Sequence, residues 1–485
     1  MNITELSPTI VWKYFHEITQ TPRPSKKEEK MVAYLREFAA AQKLPIKEDA
    51  CGNIVISKSA TPGMENRQTV ILQAHMDMVC EKNNDTEHDF ENEPIHTFIE
   101  DGWVKAKGTT LGADNGIGMA AQLAVLASDN IEHGPVECLF TIDEETGLTG
   151  ASNIEKGLIT GNILLNLDSE DEGEIYIGCA GGKGTIATFE YTPLLTSEGF
   201  FFRVDVKGLN GGHSGGEIHK GLGNANKILA RFLYLLEGEM EYELCAIDGG
   251  NLHNAIAREA HAVVGVSSSE KEAVRIMLNQ FIVDIENELK HVDKNVKITM
   301  ESTERPATCI DSITSDNLIY ALMACPHGVM GMSHDIEGLV ETSTNLASIK
   351  MKEDNKIVVS TSQRSSIESR KNEIADTIQA LFILAEATDV VYTEGYPGWT
   401  PNTNSPILKV AQDTYLNLFG KEAAIKAIHA GLECGLFLEK YPQLDMISFG
   451  PTMCDVHSPN EKLKIDTVAP WWDHLLEVLK NIPTV

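Results

Sequence analysis

Three apolar runs, TVILQAH at 69–75, VECLFTI at 136–142 and NILLNLD at 162–168, each lead into imidazole or carboxylate side chains. Around them lie segments with helical spacing of apolar residues, among them KKEEKMVAYLREFAAAQKL and NGIGMAAQLAVLASD. Strands this apolar have no face to offer water, so they need cover on both sides. The pattern predicts an α/β fold: a mixed, largely parallel sheet with helices on both faces. It resumes after residue 405 with helix SPILKVAQDTYLNLFG, strand AIKAIH, helix LECGLFLEKY, strand LDMISFG and a closing helix. The two ends of the chain are therefore expected to build one discontinuous domain, 1–185 with 395–485.

Between them the texture changes. Alternating strands such as FFFRVDVKG, EAHAVVGVS, ASIKMKE and KIVVSTS accompany the long helices NANKILARFLYLLEG, KEAVRIMLNQFIVDIENELK and KNEIADTIQALFILAEA. This predicts an inserted α+β domain over 186–394, whose halves at 197–300 and 305–394 can be read as a duplication. GCAGGKG at 178–184 and GYPGWTPNTNSP at 395–406 read as the exit and return linkers. The former is no phosphate loop, because Gly184 follows Lys183 where such a loop needs Ser or Thr.

Lys plus Arg number 40 against 71 Asp plus Glu, a net charge of −31, which argues against nucleic acid or an anionic membrane surface as partner. No apolar run approaches the length of a membrane-spanning helix. The first thirty residues lack a basic start followed by an apolar core and read as helix, turn and helix, as expected of a cytoplasmic protein. Nine scattered cysteines without a C-x-x-C pair suggest reduced packing residues rather than a disulfide framework or thiolate zinc site.

The chemistry-bearing residues sit at strand ends. Side chains alternate along a strand, so His75 and Asp77 share a face, either as a metal ligand with its orienting carboxylate or as a stabilising pair. Asp114 lies in the glycine-rich turn GTTLGADNGIG before a helix, where it can cap the helix or reach a bound ion. Asp143, Glu144 and Glu145 follow VECLFTI, and three adjacent acids repel one another unless splayed or bridged by a cation. Asp168 ends NILLNLD, and His457 stands in the late turn PTMCDVHSPNE. Taken together they suit an oxygen-rich site for two divalent ions. Three carboxylates and a hydroxide would balance those ions, and the hydroxide would form near neutral pH.

The order H-M-D, G-A-D-N-G, E-E-T-G, N-L-D-S, G-G-H-S-G-G and a late H-S-P resembles the co-catalytic zinc exopeptidases, a family that includes carboxypeptidase G, aminoacylase and carnosinase. The longer strings QAHMDMV, KNNDTEHDF, KGTTLGADNGIGMA, GEIYIGCAGG, KGLNGGHSGGEIHKGLGNANK, YPGW and HAGLECGLF resemble its Xaa-His dipeptidase subgroup, and run through nearly the whole chain.

The resemblance implies that Asp114 bridges two metals, with His75 and Asp168 on one and Glu145 and His457 on the other. Asp77 would orient His75, and Glu144 would be the general base. The peptide Asp114–Asn115 would be cis. The inserted domain would be a lid, with His213 stabilising the oxyanion and His219 its rival for that task. Asn254 and Arg364 would hold the substrate, Arg364 at the C-terminal carboxylate, and Glu433 would bind the free ammonium group. One departure is Ala257, where the family often has Pro after the N-x-I element.

The expected function is a metal-dependent cytosolic dipeptidase acting on Xaa-His and other short dipeptides, β-alanyl-histidine among them. The ions would be two zincs, with manganese or cobalt also suited to His and carboxylate donors. A homodimer is favoured over a monomer by the same resemblance. The rival readings are an N-acyl amino acid hydrolase of the same family, a non-catalytic metal- or peptide-binding protein, and an acidic scaffold.

Overall fold

In the computed structural model, which describes residues 2–485, the apolar strands from the two ends of the chain join one eight-stranded sheet. Its order is Ile46–Glu48, Ile54–Lys58, Val136–Thr141, Val70–His75, Ile163–Asn166, Asp445–Ser448, Glu174–Cys179 and Ala424–Ile428. The four middle strands, from Val136–Thr141 to Asp445–Ser448, run parallel, and antiparallel pairs flank them. Every residue of Val70–His75 and Val136–Thr141 is buried, as strands covered on both faces require. The helix Ala113–Ala127 is buried along almost its whole length, and its Gln122 Nε2 donates to the carbonyls of Leu72 and Leu139 at 2.8 and 2.9 Å. A polar side chain inside the core is thereby satisfied.

Because four parallel strands end on one edge, His75, the 143–145 turn and Asp168 emerge together, where open α/β sheets place their ligands. A four-stranded antiparallel sheet, Met453–Cys454, Lys462–Lys464, Trp103–Ala106 and Thr97–Glu100, supports the turn that carries His457. The sequence reading did not anticipate that small sheet.

The chain divides into two units: residues up to Cys179 with Trp399–Ala427 and Leu432–Val485, and Ala180–Gly398 with Ile428–Gly431. The second unit holds an antiparallel sheet in the order Lys297–Ser302, Phe200–Lys207, Ala260–Val266, Tyr242–Gly249, Val340–Lys352, Lys356–Ser365, Gly181–Glu190 and Asp389–Tyr392, with Gly328–Met332 also paired to Val340–Lys352. The helices Ala225–Glu239, Lys271–Leu289, Ser312–Ala324 and Glu368–Leu384 complete it. Its core gathers Phe202, Phe232, Leu236, Phe281, Leu318 and Phe382.

Two boundaries differ from the sequence reading. GCAGGKG is not a loop but the junction of strands Glu174–Cys179 and Gly181–Glu190. Its glycines admit a neighbouring chain, since a Cβ on Gly181 would meet Gly398 N at 2.5 Å and one on Gly182 the Tyr396 ring at 2.6 Å. Residues Ile428–Gly431, expected with the chain's end domain, belong to the second unit, where the Ala180 amide donates to the carbonyls of Ile428 and Ala430 at 3.0 Å each. All nine cysteines are free.

Candidate active site

Asp114 presents its two carboxylate oxygens to two different imidazoles. Oδ1 lies 2.9 Å from His75 Nε2, and Oδ2 lies 3.1 Å from His457 Nε2. Asp168 Oδ1 approaches the same His75 nitrogen at 3.5 Å, and Glu145 Oε2 the same His457 nitrogen at 3.0 Å. Ligands around a tetrahedral ion with bonds of about 2.0 Å stand about 3.3 Å apart, so these spacings suit a cation within each set. Ligand atoms of His75, Asp114 and Glu145 lie within 4.8 Å of one another, and Glu145 Oε1 is buried without a partner among the described residues. An orphaned carboxylate oxygen beside imidazoles and further acids fits a metal-holding role.

Electrostatics agree with that donor set. Hydrogen bonding to Asp114 and Glu145 pushes His457 up to about 11, against a smaller opposing effect of partial desolvation. Burial opposes a charge on His75, but Asp168, Asp114 and Asp77 raise it well above the usual imidazole range. Burial pushes Asp168 up to about 6, while the two imidazoles overcome burial at Asp114 and hold it well below the carboxylate range. Without a cation the acids demand positive charge strongly enough to protonate both imidazoles.

Asp77 is buried, with Oδ1 3.2 Å from His75 Nδ1. The same carboxylate accepts the Ser25 hydroxyl at 2.7 Å and the amides of Glu144 and Glu145 at 3.0 and 3.2 Å. These bonds anchor the backbone of the acid run, not its side chains, at Glu144 and Glu145. Asp143 turns away, in the left-handed region at φ 46°, and takes the hydroxyls of Thr146 and Thr149. Burial, then Asp168, Glu433 and Glu145, raise Glu144 well above the carboxylate range, while His75 opposes them. A carboxyl raised in this way is a stronger proton acceptor than an ordinary glutamate. The peptide Asp114–Asn115 is cis, as the resemblance implies. Asn115 Nδ2 donates to Asp168 Oδ1, while its own Oδ1 accepts the Gly118 amide at 3.1 Å.

Glu433 is fully enclosed in the same unit. Its Oε2 accepts from Gln73 Nε2 at 2.6 Å and Thr141 Oγ1 at 2.9 Å, and its Oε1 has no partner among the described residues. Burial pushes this carboxyl up to about 8.

The remaining candidates, His213, Asn254 and Arg364, gather in the second unit. The strand-like pairing of His213 with Ala255 and the 2.8 Å bond from the Ser214 amide to the Asn254 carbonyl join their loops. A Cβ on Gly215 would meet His213 Cε1 at 3.1 Å and Arg364 Nε at 3.3 Å, so that glycine lets the imidazole and the guanidinium converge. His213 Nδ1 accepts the amides of Gly215 and Gly216 at 3.3 and 3.0 Å, which leaves the ring proton on Nε2. Burial and Arg364 lower its pKa, so the ring is a neutral Nε2–H donor at neutral pH. Arg364 Nη1 donates to the Tyr396 hydroxyl at 2.8 Å, and its Nε is buried and unpartnered among the described residues. His219 sits in the short 3₁₀ turn Ile218–Lys220.

Sequence reasoning overlooked several contributors. His429 lies in the quoted HAGLECGLF string and bonds Ser343 Oγ at 2.7 Å, and burial with Arg364 lowers its pKa to about 3. Buried Arg23 and Glu461 carried no local signal, since only the folded chain brings them to the Asp114 loop.

Comparison with known proteins follows this geometry. Residues 71–481 match the model of peptidase family M20/M25/M40. Over 482 residues, 99% of each chain, the protein is 44% identical to the cytosol non-specific dipeptidase of Escherichia coli (strain K12). The solved aminoacylhistidine dipeptidase from Vibrio alginolyticus matches with a TM-score of 0.92 at 45% identity, covering 100% of this chain and 99% of that one. Human carnosine dipeptidase 1, at 12% identity and a TM-score of 0.51 over 97% of this chain and 96% of that one, shares the fold. Among the described residues no helix is long and apolar enough to cross a membrane. By family match and full-length identity, the chain belongs to peptidase family M20/M25/M40 and is a peptide-bond hydrolase.

Proposed function

We propose that this protein is a cytosolic, metal-dependent dipeptidase that hydrolyses Xaa-His and other short dipeptides carrying a free amine. The observation that carries the reading is the division of the Asp114 oxygens between His75 and His457, each imidazole having one further carboxylate within reach. Asp114 would be shared between two divalent ions, with His75 and Asp168 as the residues that would hold one and Glu145 and His457 those that would hold the other. Zinc suits the donors, as do manganese and cobalt. Bound, the ions supply Lewis-acid polarisation of the scissile carbonyl and make water a nucleophile at neutral pH.

The chain's own residues do the rest. Asp77 faces His75 Nδ1 and would orient the ring so that Nε2 is the nitrogen able to hold a metal. Glu144 accepts the proton of the attacking water and delivers it to the leaving amine. His213 donates its Nε2–H to the oxyanion, a role its Nδ1 anchoring supports. Arg364 takes the substrate's C-terminal carboxylate and Asn254 holds the substrate, making the inserted unit a lid. Glu433 uses its unpartnered oxygen for the substrate ammonium. A homodimer is the proposed assembly, which sedimentation would show as a species of twice the chain mass.

The deciding experiment is hydrolysis of β-alanyl-histidine by metal-stripped and metal-restored protein beside Glu144→Gln. Metal-dependent cleavage that falls about 10²- to 10⁴-fold in the variant, with metal still bound, is the expected result. Failure of metal-loaded wild type on free-amine dipeptides, together with cleavage of N-acyl amino acids, would replace the dipeptidase by an acyl amino acid hydrolase.

A further inference from the structure

Four consecutive backbone amides point at one buried carboxylate. Glu461 Oε2 accepts from Leu111 N at 2.7 Å and Gly112 N at 3.0 Å, and Oε1 accepts from Ala113 N at 2.7 Å and Asp114 N at 3.3 Å. A run of amides converges in this way only where the chain makes a left-handed step, and Gly112 provides it at φ 68° and ψ 32°. The carbonyl side of the same loop is taken by Arg23, which donates to Gly112 O, to Met76 O at 2.9 Å and to Asp77 O at 2.5 Å. A Cβ on Gly112 would meet Arg23 Nη2 at 2.6 Å, so the glycine is needed for this contact as well as for the turn.

Glu461 and Arg23 are each 2% exposed. Burying two charges is expensive, and a well-packed apolar pair is often as stable, so stability alone is a poor reason for the arrangement. Geometry offers a better one. Arg23 ties the Asp114 loop to the strand end that carries His75 and Asp77, while Glu461 ties it to the turn that carries His457, four residues earlier in the chain. The Glu461 amide in turn donates to Ser458 O at 3.0 Å, and the Ser458 hydroxyl to Asp455 O at 2.7 Å, closing that turn around His457. His457 has a side chain 51% exposed and a left-handed backbone at φ 59°, so little packing holds it in place.

From this geometry we infer that Glu461 is a positioning residue, whose carboxylate sets the distance between Asp114 and His457 and thereby the affinity of the metal site those two residues share. The inference rests on the two-metal reading above. Loss of Glu461 weakens the ion held by Glu145 and His457 more than the ion held by His75 and Asp168, because Arg23 still anchors the loop on the His75 side.

The test is titration of metal-free, full-length protein with Co²⁺, followed by calorimetry and visible absorption, for wild type, Glu461→Gln, Glu461→Asp and His457→Ala, with circular dichroism to verify folding. Wild type is expected to bind two equivalents and His457→Ala to lose the one it shares with Glu145. Glu461→Gln replaces an acceptor by a donor facing amides, and is expected to keep one equivalent near wild-type affinity and weaken the other about 10- to 100-fold, with an altered absorption spectrum. Glu461→Asp keeps the charge but draws back by one methylene, so it reports if the Gln variant does not fold; a smaller weakening of the same equivalent is expected. Wild-type affinities and spectrum for both equivalents in a folded Glu461 variant would overturn the inference, while a wild type binding only one equivalent would overturn the two-metal reading instead. Failure of both Glu461 variants to fold would also overturn it, by making the residue a folding determinant.

Discussion

The carboxylate of Asp77 lies 3.2 Å from Nδ1 of His75 while accepting the backbone amides of the two glutamates that begin the next turn. One buried side chain thus lies against the ring of a candidate ligand and anchors the backbone of the turn that carries the candidate base. Burial works against its charge, but His75 and the Glu144 amide bring it down to about 2. Asp77→Asn keeps the shape and cannot accept both amides. It is expected to lower metal affinity about 10- to 100-fold and to reduce kcat further at saturating metal, because Glu144 is displaced as well. Competition with a chromophoric chelator and kcat at saturating metal measure the two effects; full recovery of kcat with added metal would confine Asp77 to the ring.

Metal removal should soften the protein. Asp114, Asp168, Glu144 and Glu145 stand close together with two imidazoles among them, and a ligand that binds only the folded state at about 100 times its Kd adds about 2.7 kcal/mol. The melting temperature is expected to fall on chelation and to rise with the logarithm of added Zn²⁺ concentration. A melting curve indifferent to chelator and metal would contradict the metal site itself.

Glu433→Gln separates amine recognition from chemistry. Its Oε2 already serves Gln73 and Thr141, so the other oxygen alone is free for a charged partner. A charge-assisted bond contributes about 1.5–3 kcal/mol, so KM for β-alanyl-histidine is expected to rise about 10- to 100-fold with a smaller change in kcat. An unchanged KM would remove Glu433 from substrate binding.

Acid should act on folding through His474. The buried ring lies 2.9 Å from the Ala411 carbonyl, and burial lowers its pKa to about 4. Between the unfolded value near 6.5 and about 4, the unfolded chain takes a proton that the folded ring refuses, so its contribution is present above that window and lost as pH falls through it, by about 3 kcal/mol in full. Burial-raised carboxyls, Glu433 at about 8 and Asp168 at about 6, act in the opposite direction in metal-free protein. The difference between wild type and His474→Gln therefore isolates the imidazole. Denaturant midpoints at pH 7 and pH 5 should converge for the two proteins at the lower pH; a constant difference would show that His474 does not titrate.

Local chemistry made much of the site legible. TVILQAH and VECLFTI are strands in the structure, and the strand-end residues His75, Glu145 and Asp168 come together because parallel strands share a C-terminal edge. His457 was readable as a turn residue but not its support, since the sheet joining Lys462–Lys464 to Trp103–Ala106 pairs segments some 360 positions apart. The acid run shows the same limit. Three adjacent carboxylates announce a need for charge compensation, but only the Asp77 bonds to the Glu144 and Glu145 amides and the Thr146 and Thr149 hydroxyls on Asp143 tell them apart.

Local pattern along the chain is enough to say which strands are buried, where they stop and which titratable groups stand at their ends, because apolar runs and side-chain alternation are properties of neighbouring residues. Tertiary structure alone decided that Arg23 and Glu461 clamp the Asp114 loop from opposite sides and that His213 keeps its proton on Nε2. Those relationships depend on backbone amides and carbonyls, which every residue carries alike, and only the fold chooses which of them a distant side chain will meet.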